Sequence, residues 1–253
     1  VLGRVSAIAK GARRSRKRFP GTLEILTVLE ARIVDSPRSS LLRLEGARVL
    51  APFERLVNDL GRFATACQLA EILDRFTGEH EASPELFAFA LGVLDVLADE
   101  PADRLLALLI LAKTLARLGY RPQLSQCAVC GALLSADSSR VAFLPDDGGV
   151  VCPACAPSGD TRVSTALVLA LETGIRTPLR DRGKLGLTPQ EVRRAEMLLA
   201  RFYRYHIGME LRSESFLRGM LAGRRFDTAA TGERGLAAQA VPAASVPESS
   251  TEI

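Results

Sequence analysis

Short apolar runs separated by turn residues fill the first fifty positions. Val5, Ala7 and Ile8 lead into Lys10-Gly11. Leu23 to Val34 is dense in Leu, Ile and Val, with Thr27 among them. After the turn Asp35-Ser36-Pro37, a further run extends from Ser39 to Leu50. This pattern predicts short antiparallel strands forming a small barrel or curled sheet. The period changes to helical at Ala51, where Phe53, Leu56, Val57, Leu60, Phe63, Ala64 and Cys67 fall at three-and-four spacing and predict one buried helix face. The turn Gly78-Glu79-His80-Glu81 ends that helix. Ser83-Pro84-Glu85 opens another to about Leu97. A third, Ala102 to Leu118, follows Glu100-Pro101 and stops at Gly119. It is apolar nearly all round, which predicts the central helix of a bundle. Helices resume at Thr165–Thr173, at Pro189–His206 behind a Thr188 cap with Glu191 in the first turn, and at about Ser213–Leu221.

Between the third helix and the next, the helical pattern is interrupted by two knuckles, Cys127-Ala128-Val129-Cys130 and Cys152-Pro153-Ala154-Cys155. Two thiolates three positions apart in a tight turn reach one ion, and a second such pair completes a tetrahedron. Gly131 supplies the backbone freedom a knuckle needs. Four thiolate ligands leave no position for water or substrate, so the pattern points to structural rather than catalytic Zn2+. Redox dithiols, structural disulfides and a degenerate, metal-free site are the competing readings. A thioredoxin-like motif follows a strand and opens a helix, and structural disulfides require an oxidising compartment. Val141–Leu144 and Gly149–Val151 are expected to form a hairpin across Pro145-Asp146-Asp147-Gly148. Cys67, in an apolar helical stretch, reads as a small buried hydrophobe.

Charge sharpens the picture. The chain of 253 residues has a net charge of +4, but residues 1–23 hold seven Lys and Arg and no Asp or Glu. The remaining 26 basic residues face 29 acidic ones, a net of −3. A local positive field of this kind steers polyanions. Its centre is Lys10, Arg13, Arg14, Arg16, Lys17 and Arg18, six charges in nine positions, followed by Phe19, which could stack on a base. A solvated loop is the plainer reading of such a run. A second basic excess, twelve Lys and Arg against five Asp and Glu, lies between Arg176 and Arg225. No apolar run is long enough for a bilayer span and no secretory leader is evident, so the chain is read as cytoplasmic. With two histidines, no phosphate-binding loop, no nucleophile elbow and no His-x-Glu partner to Pro153's motif, an enzyme is not expected.

Several stretches resemble the RecO family of bacterial recombination mediators. They are Gly3-Arg4-Val5-Ser6-Ala7-Ile8-Ala9-Lys10-Gly11-Ala12-Arg13-Arg14, Asn58-Asp59-Leu60 through Ala70-Glu71-Ile72-Leu73, Leu118-Gly119-Tyr120-Arg121-Pro122 with Cys127-x-x-Cys130-Gly131, and Glu210-Leu211-Arg212-Ser213 with Phe216-Leu217. The resemblance spans about residues 1–225. It implies an α+β, multi-domain protein: an N-terminal OB-fold β-barrel over 1–50, then an α-helical domain over 51–228 with an inserted four-cysteine zinc module at 121–158. A tail at 229–253, rich in Ala, Pro, Ser, Gly and Thr, is expected to be disordered. The family's first barrel strand is expected to precede Val1, leaving the barrel N-terminally incomplete. The resemblance further implies binding of single- and double-stranded DNA, strand annealing, and cooperation with RecR in placing RecA on DNA coated by single-stranded DNA-binding protein (SSB), whose acidic C-terminal tail docks on the family. The helix face of Arg193, Arg194, Arg201 and Arg204 is a candidate for that docking, against the plainer reading of a solvated face. A zinc-bearing protein–protein adaptor without DNA affinity, and a zinc enzyme with an unrecognised site, remain as rival readings.

Overall fold

The computed structural model describes residues 2–12, 14–15, 17–19, 23–35, 41–135, 140–157, 162–208 and 210–222. The turn expected at Asp35-Ser36-Pro37 falls mostly, and the tail at 229–253 wholly, outside them.

The N-terminal segment forms a three-stranded sheet in the order β1-β3-β2, from β1 (Ala7–Ile8), β2 (Val28–Val34) and β3 (Leu42–Ala51). β2 and β3 pair antiparallel as the alternation predicts, but β1 runs parallel to β3, and the described strands do not close a barrel. The strand expected from Leu23 starts only at Val28, because Leu26 adopts a left-handed conformation (φ 59°) that ends an extended run. No residue of these strands is fully buried. Phe19 is the one described residue before Leu56 that is, at 5% exposure.

The helical body begins with α1 (Glu54–Val57) and α2 (Leu60–Phe76). The single face expected from Phe53 to Cys67 is broken between them. Asp59 caps a new helix by accepting from the Arg62 N–H at 2.9 Å, which resets the helical phase. As a result Val57 and Leu60 are more than half exposed, and the buried face of α2 runs through Gly61, Ala64, Thr65, Gln68, Leu69 and Ile72. Cys67 lies beside that face, half-buried, with its thiol pushed up by burial.

α3 (Pro84–Asp99) and α4 (Arg104–Arg117) follow. Every residue from Leu106 to Leu115 of α4 is buried, including Lys113, whose ammonium donates to Ile175 O at 2.6 Å. Asp103 caps α4 through the Leu106 N–H at 2.7 Å. After the cysteine module come α5 (Thr165–Arg176), a 3-10 segment (Leu179–Leu185), α6 (Pro189–Ile207) and α7 (Arg212–Ala222). A capping box between Thr188 and Glu191 starts α6. One core, centred on α4, unites α2 to α6 with strands of the module.

Two polar joints fix the parts. Arg4 Nε donates to Thr77 O at 3.0 Å and its guanidinium pairs with Asp74 at 3.1 Å, while the His80 N–H donates to Arg4 O at 2.8 Å. The N-terminal sheet is thereby tied to the end of α2. Arg182, between Glu100 and Asp103, ties the 3-10 segment to the α3–α4 junction.

Candidate metal centre and cationic surface

The cysteine module sits between α4 and α5. β4 (Arg140–Leu144) pairs with β5 (Gly149–Val151) as the expected hairpin and also with β6 (Arg162–Ser164), all antiparallel. The chain before the first knuckle runs along β5: the Gln123 N–H donates to Gly148 O, and the Val150 N–H to Gln123 O, both at 2.9 Å. A Cβ at Gly149 would lie 2.1 Å from Gln123 O, so this approach requires glycine. Leu124, Val141, Phe143, Val150 and Val163 enter the main core, anchoring the module from below. Arg121 adds a 2.6 Å ion pair with the buried Glu172 of α5.

This scaffold brings the four cysteines together. One sulfur from each of Cys127, Cys130, Cys152 and Cys155 lies within 4.8 Å of all the others, and the Cys130 and Cys152 sulfurs are 3.8 Å apart. Zinc–sulfur bonds of about 2.3 Å in a tetrahedron place ligand sulfurs roughly 3.8 Å apart, so the group fits such an ion. Cys127 is buried, Cys130 exposed, and the other two half-buried. Each knuckle closes as a turn, with the Gly131 N–H on Cys127 O at 2.9 Å and the Cys155 N–H on Cys152 O at 3.1 Å. Gly131 takes φ 73° to complete the first.

The electrostatics favour a cation. Burial opposes ionisation of Cys127, yet backbone N–H groups of Cys152, Cys130 and Val129 overcome it and hold the thiol down to about 6. The Cys152 N–H lies 3.3 Å from that sulfur. Once one thiolate is present, hydrogen bonds with the Cys152 and Cys130 side chains, together with burial, push Cys155 up to about 12. Four thiolates side by side are thus stable only around a positive ion. Cys152 does follow a strand, but it opens a turn rather than a helix, unlike a thioredoxin-type pair.

The basic run forms a compact turn at the edge of the N-terminal sheet. Lys10, Arg14, Lys17 and Arg18 are exposed, whereas Arg13 and Arg16 lie outside the described residues. Arg18 is committed to the turn itself, donating to Lys10 O at 3.1 Å and Ser15 Oγ at 3.3 Å. Phe19 does not present a stacking face. It is buried because Arg18 O accepts from the Ala47 N–H at 3.1 Å and draws this end of the turn onto β3.

A third feature is only partly signalled in the chain, by the basic face of α6. α4, α6 and α7 enclose a groove of about 580 Å³ with an apolar floor of Ala107, Leu108, Leu111, Ala200 and Leu217. Arg193 and Arg194 stand exposed on its rim. Of the basic helix face expected here, Arg204 is neutralised by Glu214 at 2.8 Å, and Arg201 does not line the groove. Beside that basic face, the spacing of Met197, Ala200 and Tyr203 on α6 is a further hint in the sequence, and it reads equally as core.

Comparison with known proteins agrees with this architecture. The model of the Recombination protein O N terminal domain matches residues 2–53, and that of the Recombination protein O C terminal domain matches residues 57–215. The chain is 34% identical to the DNA repair protein RecO of Myxococcus xanthus (strain DK1622) over 215 residues, 85% of each chain. It is 37% identical to the DNA repair protein RecO of Anaeromyxobacter sp. (strain Fw109-5) over 224 residues, 85% of this chain and 84% of that one. A sheet domain joined to a helical body that carries a four-cysteine module is thus the architecture of a recombination protein. The chain belongs to the RecO family.

Proposed function

We propose that this protein is a DNA repair and recombination mediator that binds single- and double-stranded DNA and anneals complementary strands. With RecR it would promote loading of RecA onto SSB-coated single strands. The observation that carries the reading is the exposed turn of Lys10, Arg14 and Lys17, which among the described residues has no acidic partner. Such a surface gains affinity by displacing counterions from phosphates, without regard to sequence. By neutralising two strands at once, it lowers their repulsion until base pairing takes over. The role is non-catalytic, and its setting is the cytoplasmic nucleoid; no helix among the described residues is long and apolar enough to cross a membrane.

The four cysteines hold structural Zn2+ in this reading. The ion secures the two knuckles on the hairpin and takes no part in contacting DNA. The groove suits the acidic C-terminal tail of SSB: Arg193 and Arg194 face its carboxylates, and the floor receives an apolar side chain.

Binding of a labelled single-stranded oligonucleotide, titrated with salt on zinc-replete protein, tests the proposal together with the rate of annealing. Tight binding that falls steeply with salt, and faster annealing, is the expected result. The groove also favours a second reading, an adaptor that binds peptides alone. Absence of oligonucleotide binding at low salt, with retained binding of an acidic peptide, would establish the adaptor instead.

A further inference from the structure

The cationic turn lies against a strand that carries one more uncommitted charge. β1 and β3 run parallel with Ile8 opposite Arg43, and the Leu42 N–H donates to Ser6 O at 3.0 Å. Two residues past Ile8 the chain reaches Lys10. At its other end the turn returns to the same strand, where Arg18 O meets the Ala47 N–H. The turn therefore follows β3 from Arg43 to Ala47. Arg43 is exposed, and among the described residues no carboxylate pairs with it. Its neighbours on the sheet differ, since Arg32 pairs with Glu45 at 3.2 Å and Arg48 with Glu30 at 2.8 Å. Those pairs cancel locally and leave Arg43, among the described residues, as the uncommitted cation of these strands.

The same region lacks any means of stacking bases on aromatic rings. Phe19 is the only aromatic residue from 1 to 52, and it is buried. Single-strand binding with base recognition relies on such rings, whereas phosphate contacts need only placed cations.

We propose that Arg43 joins Lys10, Arg14 and Lys17 in one strip that contacts the sugar-phosphate backbone and leaves the bases unread. This rests on the nucleic-acid reading above and adds to it a contact residue on β3 and the absence of base stacking from this surface.

The test uses the full chain, with Arg43→Gln compared against Arg32→Gln, which removes the same charge from a paired site. Binding is measured by anisotropy from about 50 to 200 mM salt on a single-stranded oligonucleotide and on one of equal length made largely of abasic sites. Arg43→Gln should flatten the salt slope by about 0.7, so that the loss of affinity across this range shrinks roughly 2.5-fold. Arg32→Gln should leave the slope near that of the unsubstituted protein. The abasic strand should bind within about twofold of the normal one. A slope unchanged by Arg43→Gln, or changed equally by both substitutions, overturns the role of Arg43. A tenfold or greater loss on the abasic strand overturns backbone-only contact. If the unsubstituted chain binds neither strand at the lowest salt, the nucleic-acid reading itself falls, and this inference with it.

Discussion

Replacing Cys130 with Ser isolates what the proposed zinc ion contributes to the fold. Cys130 is the exposed member of the four, so its substitution leaves packing intact, whereas Cys127 lies within a small core of Ala142, Leu144 and Val151. What depends on the ion can be read from the bonding. The hairpin sends Val141, Phe143 and Val150 into the main core, where they stay buried without metal. The knuckles have less support. The first is tied to β5 by the Ala128 N–H on Val150 O at 2.8 Å and by the packing of Cys127; otherwise they are held by the Cys127 N–H on Ala132 O at 2.8 Å, the Leu134 N–H on Ser125 O at 3.0 Å, and the two turn bonds at Gly131 and Cys155. Structural zinc contributes on the order of 10–16 kcal/mol where an entire small domain depends on it. Here only the knuckles do, so a loss nearer about 4 kcal/mol is expected, in the range that marks loss of a metal site. At roughly 2–4 °C per kcal/mol for a chain of this size, the melting temperature should fall by about 8–16 °C. Differential scanning fluorimetry with metal analysis reads the first effect. Amide exchange reads the second: the knuckle amides should lose protection while those pairing β4 with β5 keep it. A melting temperature within about 2 °C of the parent, with knuckle amides still protected after verified zinc loss, would refute the assignment of structural zinc.

Three further predictions concern the scaffold. Arg182→Met leaves Asp103 without its cation and Glu100 with only the 3.4 Å contact to Arg180, and should cost about 2–3 kcal/mol in urea unfolding, below the value for a fully buried pair because both carboxylates keep some solvent. Gly174→Ala places a Cβ 2.7 Å from Leu109 Cδ2 and 3.0 Å from Leu185 Cδ1 in a packed core, and the same measurement should show a loss of about 1–3 kcal/mol. Glu71 fixes the start of α7. Burial raises its carboxyl pKa, but the hydroxyl and N–H of Ser213, the N–H of Arg212 and the charge of Arg75 outweigh this and hold it below the usual carboxylate range. A depressed acid stabilises the fold fully above its unfolded value, near pH ~4.3, and loses that contribution as pH falls through the folded value. Glu71→Gln should therefore flatten the acid side of the stability curve between about pH 5 and 3, and an unchanged acid limb would contradict the role of Glu71.

The elements legible in the chain are those governed by local chemistry. Two Cys-x-x-Cys turns point to a metal site because that spacing lets four sulfurs reach one ion, and the structure gathers them into a group that could hold one. The cap at Thr188, the nearly all-apolar α4 and the turn at Pro145–Gly148 follow from backbone hydrogen bonding and periodicity within a few residues and lie where the pattern puts them, except that α4 opens at Arg104 behind an Asp103 cap rather than at Ala102. The cationic run is equally visible, because six charges in nine positions need no fold to make a field. What the chain does not reveal depends on bonds that periodicity ignores or on partners distant in sequence. The helical phase is lost at Asp59 because a single capping bond outweighs a continuous apolar period. Phe19 is buried, and Arg18 committed to the turn, where a hydrogen bond reaches Ala47 on β3. Arg43 becomes distinct from Arg32 and Arg48 only when strand register gives those two carboxylates and leaves it none among the described residues. The groove arises where α4, α6 and α7 meet, and no one helix encodes a space between three. Side-chain type and short spacing determine which chemistry is available; only tertiary packing decides which of those groups remain uncommitted, because pairing and burial are settled between segments far apart in the chain.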